Sequence, residues 1–210
     1  MRIVSGKWRG RPLRAPRTDQ TRPLLDRIKT SIFDQLGARL DQPGSLPPLN
    51  VLDLFAGSGA FGLEALSRGA ARCCFVERGR AALTALRANI ETMGCRSDTL
   101  VRSMDVFRDP LECPWPGGFA LCFVDPPYRY TQESVRSAQV FALLERLAES
   151  PGVASDALIL FRCESDVDFE GTISRTELLE RRTYTHMCLW WLRVCRPAAE
   201  NQTHESDAPA

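Results

Sequence analysis

Residues 51–62 read VLDLFAGSGAFG: an apolar run over 51–55 that carries one carboxylate, Asp53, then a glycine-rich turn, then the opening of a helix. Gly57 and Gly59 allow a sharp turn and a close backbone approach to a ligand, and the helix start leaves N–H groups pointing at it. Strand, glycine turn and helix in that order open a parallel α/β sheet.

Outward from this stretch the same alternation continues. Apolar runs predict strands near 51–55, 73–77, 99–103, 121–125 and 157–162, with helices near 59–68, 80–93 and 134–149 between them. Continuous apolar strands separated by amphipathic helices indicate a parallel sheet covered on both faces. The segment ELLERRTYTHMCLWWLRV, residues 177–194, breaks the rhythm: it reads as two antiparallel strands joined around Thr183–Thr185, with Trp190 and Trp191 packing on opposite faces. Upstream, Leu25, Ile28, Ile32, Leu36 and Leu40 recur at helical spacing after Pro23, with Gly37 or Pro43-Gly44 as the stop. Residues 197–210 are polar and apolar-poor, the composition of a disordered tail. The expected organisation is an N-terminal extension over 1–45, an α/β domain over 46–196 and the tail.

The 210 residues, 44% of them hydrophobic, suffice for one core of ordinary size. No run approaches the roughly 18 apolar residues of a membrane span, and the first residues lack the apolar centre of a secretory signal, so the expected location is the cytoplasm. The eight cysteines include no Cys-x-x-Cys pair and are read as free thiols in apolar surroundings, with no metal site expected.

The net charge of +1 hides an uneven distribution: residues 1–30 hold nine Lys and Arg against Asp19 and Asp26. Lys7, Trp8, Arg9 and Arg11 place an aromatic ring among cations, a pattern that suits RNA because the charges meet phosphates while a ring stacks on a base. The competing reading is a solvated arm whose Trp8 packs on the domain.

The glycines at 57, 59 and 62 also spell G-x-G-x-x-G, and Glu77 falls where a dinucleotide fold keeps its ribose-binding acid, so a dehydrogenase stays in play. Asp53 argues against it, because a carboxylate before the turn repels a pyrophosphate and suits a cationic amino-acid moiety. Hydride transfer also has no use for Asp125-Pro126-Pro127-Tyr128 at the end of the fourth strand.

Together these residues resemble the class I S-adenosylmethionine-dependent methyltransferases. The resemblance implies a Rossmann-like, mostly parallel seven-stranded sheet with helices on both faces, an antiparallel last pair and S-adenosyl-L-methionine as cofactor. It assigns Asp53, Phe55, Ala56, Gly57, Ser58 and Gly59 to the methionine part, Glu77 to the ribose hydroxyls, and Asp105, between Met104 and Val106, to the adenine.

Asp125-Pro126-Pro127-Tyr128 is similar to the motif of methyltransferases that modify planar exocyclic or amide nitrogens. Such a nitrogen is a poor nucleophile, and acceptors for its N–H pull the lone pair out of conjugation. Asp125 and the Pro126 carbonyl are the expected acceptors, Pro127 stiffens them, and Tyr128 is the platform for a flipped base, a contact worth about 1–3 kcal/mol. One carboxylate can accept guanine N1–H and N2–H together, so Asp rather than Asn tilts the reading towards guanine N2.

The ordered blocks MRIVSGKWRGRPL, TRPLLDRIK, VLDLFAGSGAFGLEALSRGA and FVDPPY resemble the bacterial RsmD-type 16S rRNA guanine-N2 methyltransferases from residue 1 to about 194. That resemblance implies an N-terminal basic hairpin that grips RNA and places Arg22, Pro23, Asp26, Arg27 and Lys29 close to the active site. It also matches Asn89, read as structural. The implied partner is 16S rRNA, within the small ribosomal subunit or an assembly intermediate, met by a monomer with no membrane partner. Leu24 and Leu25 depart from the family's threonines, Arg78 from a second acid after Glu77, and Thr185 from a glycine. Two alternatives stay open here: a methyltransferase of the same fold acting on DNA adenine or a protein glutamine, and a non-catalytic RNA-binding module.

Overall fold

The apolar runs assemble into one seven-stranded sheet in the computed structural model, which describes residues 1–16, 25–127, 129–132, 134–164, 173–184 and 187–196. The strands are β1 (Asn50–Leu54), β2 (Arg72–Val76), β3 (Thr99–Arg102), β4 (Phe119–Val124), β5 (Val153–Cys163), β6 (Thr176–Tyr184) and β7 (Met187–Val194), in the order β3-β2-β1-β4-β5-β7-β6. The first five run parallel, whereas β7 pairs antiparallel with both β5 and β6. The helices are α1 (Asp26–Arg39), α2 (Ala60–Ser67), α3 (Arg80–Met93), the single-turn α4 (Arg129–Gln132) and α5 (Ser134–Glu149).

Alternation along each strand divides the core into two layers. Val51, Phe75, Phe123, Leu160 and Trp191 face α1, α2 and α3 through Phe33, Leu66 and Leu86. Leu52, Val76, Cys122, Phe161 and Trp190 face α5 through Val140, Leu144 and Leu147. The two tryptophans therefore do lie on opposite faces. Six of the eight free cysteines are buried in these layers, and burial pushes the Cys74 thiol up to about 12.

Several boundaries differ from the sequence reading. β5 begins at Val153 rather than 157, extended by its ladder with Phe119. α1 passes through the buried Gly37 and ends at Arg39, and Leu25 stands exposed ahead of it instead of continuing the apolar stripe. Residues 197–210, Thr185 and His186 lie outside the described residues.

The basic N-terminus closes into a small hairpin: the Ile3 N–H donates to the Arg11 carbonyl at 2.9 Å, and the Leu13 N–H to the Met1 carbonyl at 3.0 Å. Its Ile3, Trp8 and Leu13 join the same core layer as α1 and α2. The approach to α2 is so close that a Cβ at Gly6, where φ is 78°, would lie 1.9 Å from the Ser67 carbonyl oxygen. This corrects the RNA-stacking role expected of Trp8: its ring is buried, with the Lys7 ammonium 4.4 Å from the ring centre, and its backbone N–H donates to Ser67 Oγ.

Lys29 needs the same correction. It is 1% exposed, and its ammonium meets the Glu64 carboxylate at 3.1 Å and the Arg2 carbonyl at 2.5 Å. Burial lowers its pKa, and Glu64 opposes that shift. Glu64, on α2 and itself fully buried, also accepts from the backbone N–H groups of Val4 and Ser5 and pairs with Arg68 at 3.0 Å. One carboxylate thus fastens the hairpin, α1 and α2 together, and holds the Lys29 ammonium inside the fold.

Two stability predictions follow from these buried charges. Glu64→Leu leaves Lys29 and Arg68 buried without their shared counter-ion and should cost about 3–5 kcal/mol in urea unfolding; a loss under 1 kcal/mol would remove Glu64 as the fastening point. Asp53, also 1% exposed, accepts the Gly62 N–H at 2.9 Å, and burial raises its carboxyl well above the usual range, with Asp125 and Glu77 adding to the rise. A raised folded pKa favours folding below the unfolded value near 3.9 and loses that advantage as pH climbs towards the folded midpoint. Asp53→Asn should therefore gain stability relative to wild type by about 1.4 kcal/mol per pH unit above pH 4, levelling off at that midpoint; a pH-independent difference would contradict this.

Candidate active site

The strand order reverses direction between β1 and β4, so the connections leaving their carboxyl ends part and open a crevice, the place where α/β sheets bind ligands. Each acid singled out in the sequence other than Asp53 lies past its strand: Glu77 after β2, Asp105 after β3 and Asp125 after β4. Asp53 stays inside β1, pinned to α2 through Gly62.

The turn after β1 is built for close approach. Phe55 has a φ of 57°, an uncommon conformation for a side-chain-bearing residue, and Gly57 and Gly59 follow at 57° and 84°. Ala56 donates its N–H to the Val76 carbonyl, and the buried Asn89 side chain donates to the Ser58 carbonyl at 2.9 Å. Asn89 also exchanges two hydrogen bonds with the Arg14 backbone, so the loop is tied to the basic hairpin.

Glu77 fixes the loop from the other side. Its Oε2 accepts the Gly57 N–H at 2.9 Å, and its Oε1 accepts the N–H groups of Arg78 and Gly79 at 2.8 and 2.6 Å. Asp105 accepts the Phe107 N–H at 3.1 Å and pairs with Arg78 at 3.2 Å, while a second Arg78 nitrogen donates to the Tyr130 hydroxyl at 2.7 Å. Arg78, a departure from the family pattern, thereby links the acid after β3 to the helix that follows the β4 loop. Arg146 of α5 holds the post-β3 turn through the carbonyls of Phe107 and Asp109. Val106 is buried and Met104 half-buried against the α5-side core, and the rings of Phe55, Phe107 and Tyr130 cluster with centres 5.1–6.1 Å apart.

Beyond β4, Asp125 is half-buried and its two oxygens receive Arg162 Nε at 2.5 Å and Nη2 at 2.8 Å. Pro126 is buried, and the Pro127 carbonyl accepts the Tyr130 N–H that starts α4. Sequence reasoning missed Arg162. Its signal was present, because Arg162 interrupts the apolar run from Ala157 one rung past the Val124–Phe161 pair, beside the residue where β4 ends.

The donor set fits an S-adenosylmethionine-like molecule. Three carboxylates lie close enough for Asp125 and Glu77 to disfavour ionisation of Asp53, an environment that welcomes a cation and repels phosphates. Of the RNA-facing candidates, Lys7, Arg9 and Arg11 are exposed, with Arg11 donating to the Thr92 carbonyl at the end of α3. Arg27 is exposed and Asp26 pairs with Arg2 at 2.7 Å. Tyr128, Arg22 and Pro23 lie outside the described residues.

Among known proteins, the family model described as conserved hypothetical protein 95 matches residues 1–193. A Bacillus subtilis relative named "Putative rRNA methyltransferase YlbH" is 32% identical over 190 residues, covering 88% of this chain and 94% of its own. The "Ribosomal RNA small subunit methyltransferase D" of Haemophilus influenzae is 32% identical over 187 residues, covering 87% and 89%. The solved structure of the Escherichia coli "Putative methyltransferase yhhF" superposes with a TM-score of 0.74 at 28% identity, covering 93% of this chain and 98% of that one. With its strand order, its acids at successive strand ends and a family match over residues 1–193, the chain belongs to the family described as conserved hypothetical protein 95, that of the small-subunit methyltransferase D proteins.

Proposed function

We propose that this protein transfers a methyl group from S-adenosyl-L-methionine to the exocyclic N2 amine of a guanine in 16S rRNA, in the cytoplasm and on the small subunit or an assembly intermediate. The observation that supports it most is the position of Asp125 and its two prolines at the switch point, across from the glycine turn and the acids that suit the cofactor. The names of its relatives support an rRNA substrate.

When bound, the cofactor supplies an electrophilic methyl group on a sulfonium. The chain's own residues do the rest. The turn from Phe55 to Gly59, held from within by the buried Asp53 through Gly62, receives the methionine part; Glu77, with three of about four acceptor positions taken by backbone N–H groups, has one left for a ribose hydroxyl, and Asp105 accepts from the adenine amine between Met104 and Val106. Asp125 accepts N–H from the target amine, helped by the Pro126 carbonyl, and so frees its lone pair for attack. A carboxylate has about four acceptor positions, and the Arg162 fork uses one on each oxygen. The two that remain point outward on opposite flanks of the carboxylate, so one of them can take an N–H of the target amine. Tyr128 stacks on the base. Lys7, Arg9, Arg11, Arg22 and Arg27 neutralise phosphates around the hairpin, with Asp26 orienting Arg2 beside them.

The test is transfer of labelled methyl groups into small subunits, naked 16S rRNA, DNA and a protein extract, followed by nucleoside mass spectrometry. N2-methylguanosine is expected; label only in methyladenine or in protein would overturn the proposal. Asp125→Asn should lower kcat on guanine about 10²-fold, by the loss of one acceptor aimed at developing charge. Full activity would detach the carboxylate from the guanine edge. Arg9→Ala and Arg11→Ala should each flatten the logarithmic salt dependence of RNA binding by about 0.7–0.9, and an unchanged slope would make the hairpin purely structural.

A further inference from the structure

We propose that Arg162 is a positioning residue that fixes the Asp125 carboxylate in the plane needed to receive the methyl-accepting base, an inference that rests on the function proposed above.

The pairing is set by the sheet. β4 and β5 run parallel in register through Val124 and Phe161, so Asp125 and Arg162 occupy the next rung and extend to the same side. Both side chains are largely shielded, 19% and 14% exposed, which keeps the contact from being a screened surface pair. The geometry is side-on, one guanidinium nitrogen to each oxygen. That arrangement locks the rotation of the carboxylate about its last bond, because turning it would break both hydrogen bonds together.

A carboxylate here has reason to need such a partner. Asp53 and Glu77 are held by backbone N–H groups, whereas Asp125 lies near enough to Asp53 to add to burial in disfavouring its ionisation. The guanidinium offsets that crowding and fixes both oxygens of Asp125. An outward lone pair then keeps a fixed direction towards the N–H of the target amine. Misplacement of a reacting group by about 1 Å can cost 10²-fold in rate, so the plane of Asp125 matters more than its presence. Lysine could not substitute fully, since a single ammonium holds one oxygen and lets the other swing.

The test uses Arg162→Met, Arg162→Lys, Asp125→Asn and the double variant Asp125→Asn with Arg162→Met in the full chain. Arg162→Met should lower kcat about 10²-fold, with the calorimetric Kd for S-adenosylmethionine within about twofold of wild type and Arg162→Lys intermediate. The double variant should be no slower than Asp125→Asn alone, because no carboxylate is left whose plane Arg162 could fix. Wild-type kcat in Arg162→Met, or losses that multiply in the double variant, would overturn the proposal. A urea-unfolding cycle over the same four chains reads the clamp without turnover: strongly non-additive midpoints are expected, and additive ones overturn it. If wild type methylates no guanine, the proposed function falls, while the unfolding cycle still decides whether Arg162 holds Asp125.

Discussion

Negative charge crowded at one edge of a sheet has to be held in place, and the site depends on how that is done. Asp53, Glu77 and Asp125 meet where β1 and β4 part, and each has a different restraint. Asp53 is buried and takes the Gly62 N–H at the start of α2, Glu77 takes three backbone N–H groups from two loops, and Asp125 takes a guanidinium. The restraints differ in charge: a backbone cradle fixes a carboxylate without supplying a full counter-charge, while a guanidinium supplies one.

The second requirement is that the basic hairpin stay in register with this edge. Glu64 does so from inside the core, drawing the hairpin backbone, Lys29 and Arg68 onto α2, and Asn89 joins the hairpin to the glycine turn itself. A buried ionic hub is a poor source of net stability, since desolvation offsets most of the attraction. Its effect here is positional: the exposed Lys7, Arg9 and Arg11 are carried on a strapped segment packed on α2, not on a loose arm.

The sheet, its antiparallel end and the acids at successive strand ends were legible in the sequence because they depend on period and local turn chemistry. Trp190 and Trp191 could be assigned to opposite faces from strand geometry alone. Contacts between distant segments were not legible. Lys29 looked like a cation near RNA because its charge is visible in the chain while its partner Glu64 is 35 residues away on another helix. Trp8 looked available for stacking because nothing local shows that Gly6 lets the hairpin press against Ser67. Arg162 and Arg78 were read past, or read only as departures, because their partners Asp125 and Asp105 are brought beside them only by strand register and loop packing. In each case a single long-range polar contact decided the role.

The central claim is that this carboxylate-rich edge receives a sulfonium cofactor rather than a phosphate-bearing one. Isothermal titration of the purified chain with S-adenosylmethionine and, separately, with NADH tests it most directly. Saturable binding of the first alone is expected, weakened about 10-fold to 100-fold by Glu77→Ala through loss of a charge-assisted hydrogen bond worth about 1.5–3 kcal/mol. Absence of heat with S-adenosylmethionine, or tighter binding of NADH, would contradict it.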